Sequence, residues 1–190
     1  MHRTGIRIVT FILSAVVLIA AACTTTSNTT GSPETPQEDT APKDDALPDW
    51  FSEESVIYDS SGVQAYAGAI GTDAASAETK AVTQATTVLK QSISDRLETV
   101  RTEAVQELGM ESGLTNADFL IDLRKADGAV DDIVSIQQTD TMPVEGQNSV
   151  RGLAAVELSK EELMEQLNKR MSDHEDTWNA LKESGAFQEF

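Results

Sequence analysis

Between Ser76 and Leu108 the apolar residues recur at steps of three and four: Ala77, Ala81, Ala85, Val88, Leu89, Ile93, Leu97, Val100, Ala104 and Leu108. That spacing lays one stripe along a helix and does not suit a strand, whose side chains alternate every second residue. Asp73 or Ser76 is placed to cap its start, and Gly109 to stop its end. At about 1.5 Å per residue such a helix is roughly 50 Å long. A domain of this size does not bury that length evenly, so part of the helix is expected to project, where it would favour self-association into a homo-oligomer. The stripe begins on alanine and passes to leucine and isoleucine. Small side chains let a helix backbone approach a sheet closely, so the alanine end is expected nearest the glycine-bearing strand that precedes it.

That strand is predicted over Val63 to Ile70, after a short one at Val56-Ile57-Tyr58 and a turn at Ser60-Ser61-Gly62. Gly68 and Gly71 mark a bulge or close backbone packing. Thr115 or Asn116 can cap a short helix through Phe119, Leu120 and Leu123. Strands are predicted over Ile133 to Thr139 and Ser149 to Leu158, separated by a turn from Met142 to Asn148. Val150, Leu153, Val156 and Leu158 do not alternate strictly, which fits a bulge or two partly covered faces. Ser159 and Glu162 form a capping box. The helix it opens carries Leu163, Leu167, Met171, His174, Trp178 and Leu181 and is expected to end near Gly185. The order β-β-α-α-β-β-α predicts an α+β fold: a small antiparallel sheet packed against a long helix, with further shorter helices.

The ends of the chain read differently. Arg3 and Arg7 precede an apolar run from Ile8 to Ile19, then Ala20-Ala21-Ala22 and Cys23, the only cysteine among 190 residues. A basic start, a short apolar run and small residues are the parts of an export signal. The run is short for a spanning helix, which needs about 20 residues. Small residues directly before a cysteine resemble the bacterial lipobox, with cleavage between Ala22 and Cys23 and lipid on the Cys23 thiol. Ala20 stands where that pattern usually has leucine. An ordinary signal peptide, cut in the same place and leaving a free thiol, is the alternative, and a retained membrane anchor a more distant one. Two or more acyl chains suffice to hold a protein on a membrane. Thr24 stands where enteric bacteria place an aspartate to retain lipoproteins in the inner membrane, which by analogy favours the outer membrane.

Residues 24–47 are polar, rich in threonine, proline and carboxylates, and are read as a disordered tether with a typical reach of about 25–30 Å. Asn28-Thr29-Thr30 fits a glycosylation pattern but is read as plain linker. The expected division is a signal peptide over 1–22, the lipidated cysteine and acidic tether over 23–47, and one domain over 48–190. Without residues 1–22, which hold two basic residues and no acidic one, 12 basic side chains face 32 acidic ones, a net charge of −20. Nucleic-acid affinity rests on neutralising phosphates with Lys and Arg, so nucleic acid is excluded as a partner. A lone cysteine forms no intrachain disulfide and no thiolate-rich zinc site.

Pro48-Asp49-Trp50 at the start of the domain, the strand Tyr66-Ala67-Gly68-Ala69-Ile70-Gly71 and the helix stepping through Ala77, Ala81, Ala85, Leu89, Ile93 and Val100 resemble the Lpp-twenty family of bacterial lipoproteins. The resemblance covers Pro48 to Val100, and Val150 to Leu158 more loosely. The glycines are three apart here, where the family more often has Gly-x-Gly. The resemblance implies a long helix laid across a small antiparallel sheet, in an accessory lipoprotein or surface antigen of outer-membrane assemblies, flagellar ones included. It supplies no enzymatic site.

The residues themselves point the same way. His174 lies in Asp173-His174-Glu175-Asp176, but sequence neighbours on a helix diverge and only i, i+3 or i+4 pairs converge. It is read as a helix-face histidine flanked by solvated acids. A catalytic triad would have only His174 to use, and no Gly-x-Ser-x-Gly elbow accompanies it. Glu53-Glu54 and Asp131-Asp132 are read as solvated charges, and no calcium loop of alternating Asp/Asn is present. Trp50, Tyr66 and Trp178 are read as core anchors. The expectation is a non-enzymatic envelope module with no metal, cofactor or catalytic residue and an unidentified protein partner. The alternative is a binding protein for a small ligand or peptidoglycan fragment.

Overall fold

Ten residues of strand cover about 33 Å, whereas the same length needs about 22 residues of helix. The helix expected from the apolar stripe, Ser76 to Leu108, must therefore outrun any strand of ordinary length, and this governs the architecture. The computed structural model describes residues 47–188 and 190, all within a unit spanning Asp45–Phe190. Its strands are β1 (Val56–Tyr58), β2 (Gly62–Gly71), β3 (Ser135–Pro143) and β4 (Val150–Ser159). Its helices are α1 (Ala74–Leu108), α2 (Ala117–Lys125), α3 (Ala129–Ile133), α4 (Lys160–Arg170), α5 (Glu175–Glu183) and α6 (Gly185–Gln188). The fold is α+β, an antiparallel sheet in the order β1-β2-β4-β3 with α1 packed on it.

Asp73 caps α1, its carboxylate accepting from the Ser76 N–H at 2.9 Å, and Gly109 ends it with φ of 82°. Ala77, Ala81, Ala85, Leu89, Ile93, Leu97, Val100 and Ala104 are all buried. At the alanine end the approach is as close as expected. A Cβ on Gly71 or Gly152 would overlap the backbone of Ala77. Val63, Ala65 and Ala67 from β2, with Ala154, Val156 and Leu158 from β4, form the sheet's side of this core.

The expectation that part of α1 projects is corrected. A row of four-residue steps turns about 40° per step around the helix, because four residues exceed one 3.6-residue turn. From Ala77 to Leu97 it comes round by about 200°, so the buried row leaves the sheet as the helix outruns it. There α2, α3, α4, α5 and α6 supply a second half of the core, with Leu114, Phe119, Leu123, Val130, Leu163, Leu167, Met171, Trp178 and Leu181.

Other boundaries moved. Ile133 ends α3 and does not begin a strand, and β3 continues through Met142 to Pro143. The irregularity foreseen for β4 lies in β3, as a register shift between Ile136 and Gln138. Lying between β2 and β3, β4 is paired on both sides from Val150 to Glu157, and Leu153 and Ala155 are buried on the face away from α1. The capping box is present: Ser159 Oγ accepts from the Glu162 N–H at 3.1 Å and donates to its carboxylate at 2.9 Å. The single C-terminal helix is not. It stops at Met171, passes through a 3-10 turn at Ser172–His174 and resumes as α5, which ends at Glu183, close to the expected end, before Gly185 opens the short α6. The break brings the Trp178 indole N–H to Asn168 Oδ1 at 2.8 Å. Ten residues of straight helix would hold the two about 15 Å apart.

Gly152→Ala is expected to lower unfolding stability by about 1–3 kcal/mol or more, since the added methyl meets main chain and no side chain can yield. Ser159→Ala should cost about 1 kcal/mol through loss of the cap. Urea unfolding followed by circular dichroism checks both.

Candidate functional site

A strand presents hydrogen-bonding groups on both edges, so a strand covered along only part of its length leaves the rest for something else. β1 has three residues against ten in β2 and pairs only with Val63–Ala65. The Tyr66 N–H still reaches Ser55 O at 2.9 Å. Beyond it, chain 47–54 leaves the edge and lies over the outer face of the sheet, where the Phe51 ring meets Tyr66 edge-on at 6.0 Å. In antiparallel pairing the N–H and C=O of one residue point the same way, and the direction alternates along the strand. Gly68 and Ile70 therefore point the same way as Tyr66, away from β4. The Ile70 carbonyl accepts from Lys80 Nζ at 3.2 Å, in keeping with that direction.

No described strand pairs with this stretch of the edge, which is the floor of a groove of about 1060 Å³. Leu47 and Phe51 form one wall; Thr79, Lys80, Thr83, Gln84, Thr87 and Val88 of α1 form the other. The hydroxyls of Thr79, Thr83 and Thr87 donate to the carbonyls four residues back, each at 2.8 Å. The buried side chain of Leu153, cross-strand from Gly68, lies against that glycine, and Ile70 opposite Arg151 is 47 % exposed. Among the described residues, the charged side chains lining the groove are Lys80 and Arg151, and no carboxylate lines it.

Residues singled out from the sequence fall elsewhere. Ala22, Cys23, the export signal and the tether before Leu47 lie outside the described residues, as does Asn28. His174 Nε2–H donates to Asp122 Oδ2 at 3.1 Å, and its ring meets Phe119 edge-on at 5.7 Å. It thus joins the turn between α4 and α5 to α2, from a 3-10 turn and not a helix face. Asp131 and Asp132 are exposed yet paired, with Lys90 at 2.7 Å and Arg170 at 2.9 Å. Glu53 and Glu54 are exposed. Trp178 is buried, whereas Trp50 and Tyr66 are only partly so, because they cover the outer face. Among the described residues no three His, Cys, Asp or Glu side chains are placed to hold a metal ion, and no helix is long and apolar enough to cross a membrane.

The groove residues were missed in the sequence. Thr79, Thr83 and Thr87 do recur at four-residue steps, a visible signal beside the alanine row. A short β1 beside a longer β2 is legible as well, whereas nothing local says that chain 47–54 leaves the edge instead of extending β1.

The perturbed carboxylates have structural causes. The hydrogen bond from His174 holds Asp122 below the usual carboxylate range. Hydrogen bonds from Ser61 do the same for Asp59, and the Ser76 N–H for Asp73. Arg101, donating to both oxygens of Glu98 at 2.6 and 2.8 Å, lowers that carboxyl. Burial pushes the Tyr58 phenol up, partly offset by its hydrogen bond with Ser92. A carboxyl depressed in the folded state adds stability above its unfolded pKa, and that stability is lost as pH falls through the folded value. Tm is therefore expected to fall on acidification below about pH 4, the unfolded range of these groups. Asp122→Asn should be less stable than wild type at pH 7 and lose less on acidification; Tm measured at pH 7, 4 and 3 decides it. Compared with protein-family models, curated proteins and solved structures, the chain matches none.

Proposed function

We propose that the chain is a non-enzymatic lipoprotein of the bacterial cell envelope, related to the Lpp-twenty family and acting as a structural or interaction module. Lipid on Cys23, after cleavage behind Ala22, would hold it on a membrane, by analogy the outer one. The sequence at residues 1–23 supports the anchor: basic start, short apolar run, three alanines and the lone cysteine. The observation that carries the interaction role is the open β2 edge in its groove, since unpaired strand edges are places where other chains add. Membership of an outer-membrane or flagellar assembly is part of the same proposal and rests on the family likeness alone.

A second reading, a binding protein for a small ligand or peptidoglycan fragment, draws on the same groove. Its volume is of the order of ligand sites, about 300–1,000 Å³, though its polar groups are few.

Cys23→Ser is expected to move the protein from the membrane to the soluble fraction and to abolish incorporation of labelled palmitate. Continued fractionation with membranes would overturn the lipid anchor.

A further inference from the structure

The sheet has two outer edges, and they differ. β3 is long and exposed, but it carries a register shift at Ile136/Gln138, a charge at Asp140 and a terminal proline at Pro143. Bulges, charges and proline are the devices that keep an edge from pairing. The free half of β2, Ala67–Gly71, has none of them. It offers the N–H and C=O of Gly68 and the N–H of Ile70 between the two walls of the groove. Its neighbour in line is β1, so an added strand would continue the row that β1 begins.

The groove's charge selects the occupant. The described domain is strongly acidic, yet Lys80 and Arg151 are the charged groups of this lining. Two copies paired edge to edge would bring both pairs of cations together and set two chains of net charge −18 face to face. A peptide bearing carboxylates meets the cations instead. Lys80 already donates to the Ile70 carbonyl, and an incoming strand can take over that acceptor while its carboxylate takes the ammonium.

The geometry points to β-strand addition: an extended, carboxylate-bearing peptide segment of an envelope partner pairs with Gly68 and Ile70, its acidic side chains meeting Lys80 and Arg151. The inference rests on the reading of the chain as an interaction module and names its partner's chemistry. Backbone pairing supplies affinity, and the cations with the apolar walls supply selectivity.

The test is selection of a random peptide library on the full chain held in detergent, with binding of the selected peptides measured against two variants. Ile70→Pro removes an N–H that faces the groove and leaves the β4 ladder intact, as proline allows at an edge. Lys80→Glu with Arg151→Glu reverses the groove's charge. Selected peptides should be rich in Val, Ile, Thr, Asp and Glu, shift the amide resonances of Gly68 and Ile70, and bind each variant about tenfold or more weakly, a loss of about 1.4 kcal/mol. Unchanged circular dichroism would show that the variants fold. Selection of basic or helical peptides, binding that Ile70→Pro leaves intact, shifts confined to another surface, or no binder at all would overturn the site. So would dimerisation through Gly68 and Ile70 without peptide. None of these results touches the Cys23→Ser fractionation, so failure of this site and failure of the lipoprotein reading are distinguishable.

Discussion

The close approach of α1 to the sheet at Ala77 is the contact on which the remainder of the structure depends. Gly71 and Gly152 lie against the first turn of the helix with no room for a side chain. The helix is thereby pinned over β2 and β4 near their shared end, only two residues after β2 stops. Its direction is settled there, back along β2, and so is the separation of the layers, which alanines at 77, 81 and 85 can fill. Larger residues appear only where the layers part.

Length does the next part. A helix rises less than half as far per residue as a strand, yet α1 has more than three times the residues of β2, so its last third has no sheet beneath it. The four-residue row turns its apolar side about the axis over the same distance, and α2 to α6 close around it. The break at Met171 belongs to this requirement. A straight C-terminal helix could bury Leu163 and Leu167 or Trp178 and Leu181 on a core this short, but not both. The turn at Ser172–His174 folds the second pair back, and the hydrogen bond from Trp178 to Asn168 closes the bend.

The groove results from the same economy of chain. Only three residues of β1 pair with β2, after which the polypeptide crosses to the outer face so that Phe51 can pack on Tyr66. That crossing leaves Gly68 and Ile70 at an edge that no described strand covers. An apolar recess with two cations is unusual on a surface dominated by carboxylates, and it is placed where backbone groups are available as well.

Much of the framework is legible in the residues alone. The alanine-to-leucine row specifies α1 because only a helix brings four-residue steps to one side, and Gly109 and Asp73 bound it by chemistry local to each end. The capping box at Ser159 and Glu162 is equally local. What needed the tertiary structure were features set by competition between distant segments. The bulge falls in β3 and not β4 because β4 must pair on both sides. The C-terminal helix breaks because the core ends, not because any residue at 171–174 forbids a helix. The open β2 edge exists because β1 is short and chain 47–54 prefers the outer face, a choice made by Tyr66 and Leu153 some distance along the sequence. Periodicity reports which way a side chain faces along its own element; which edge is left uncovered depends on where every other element comes to rest.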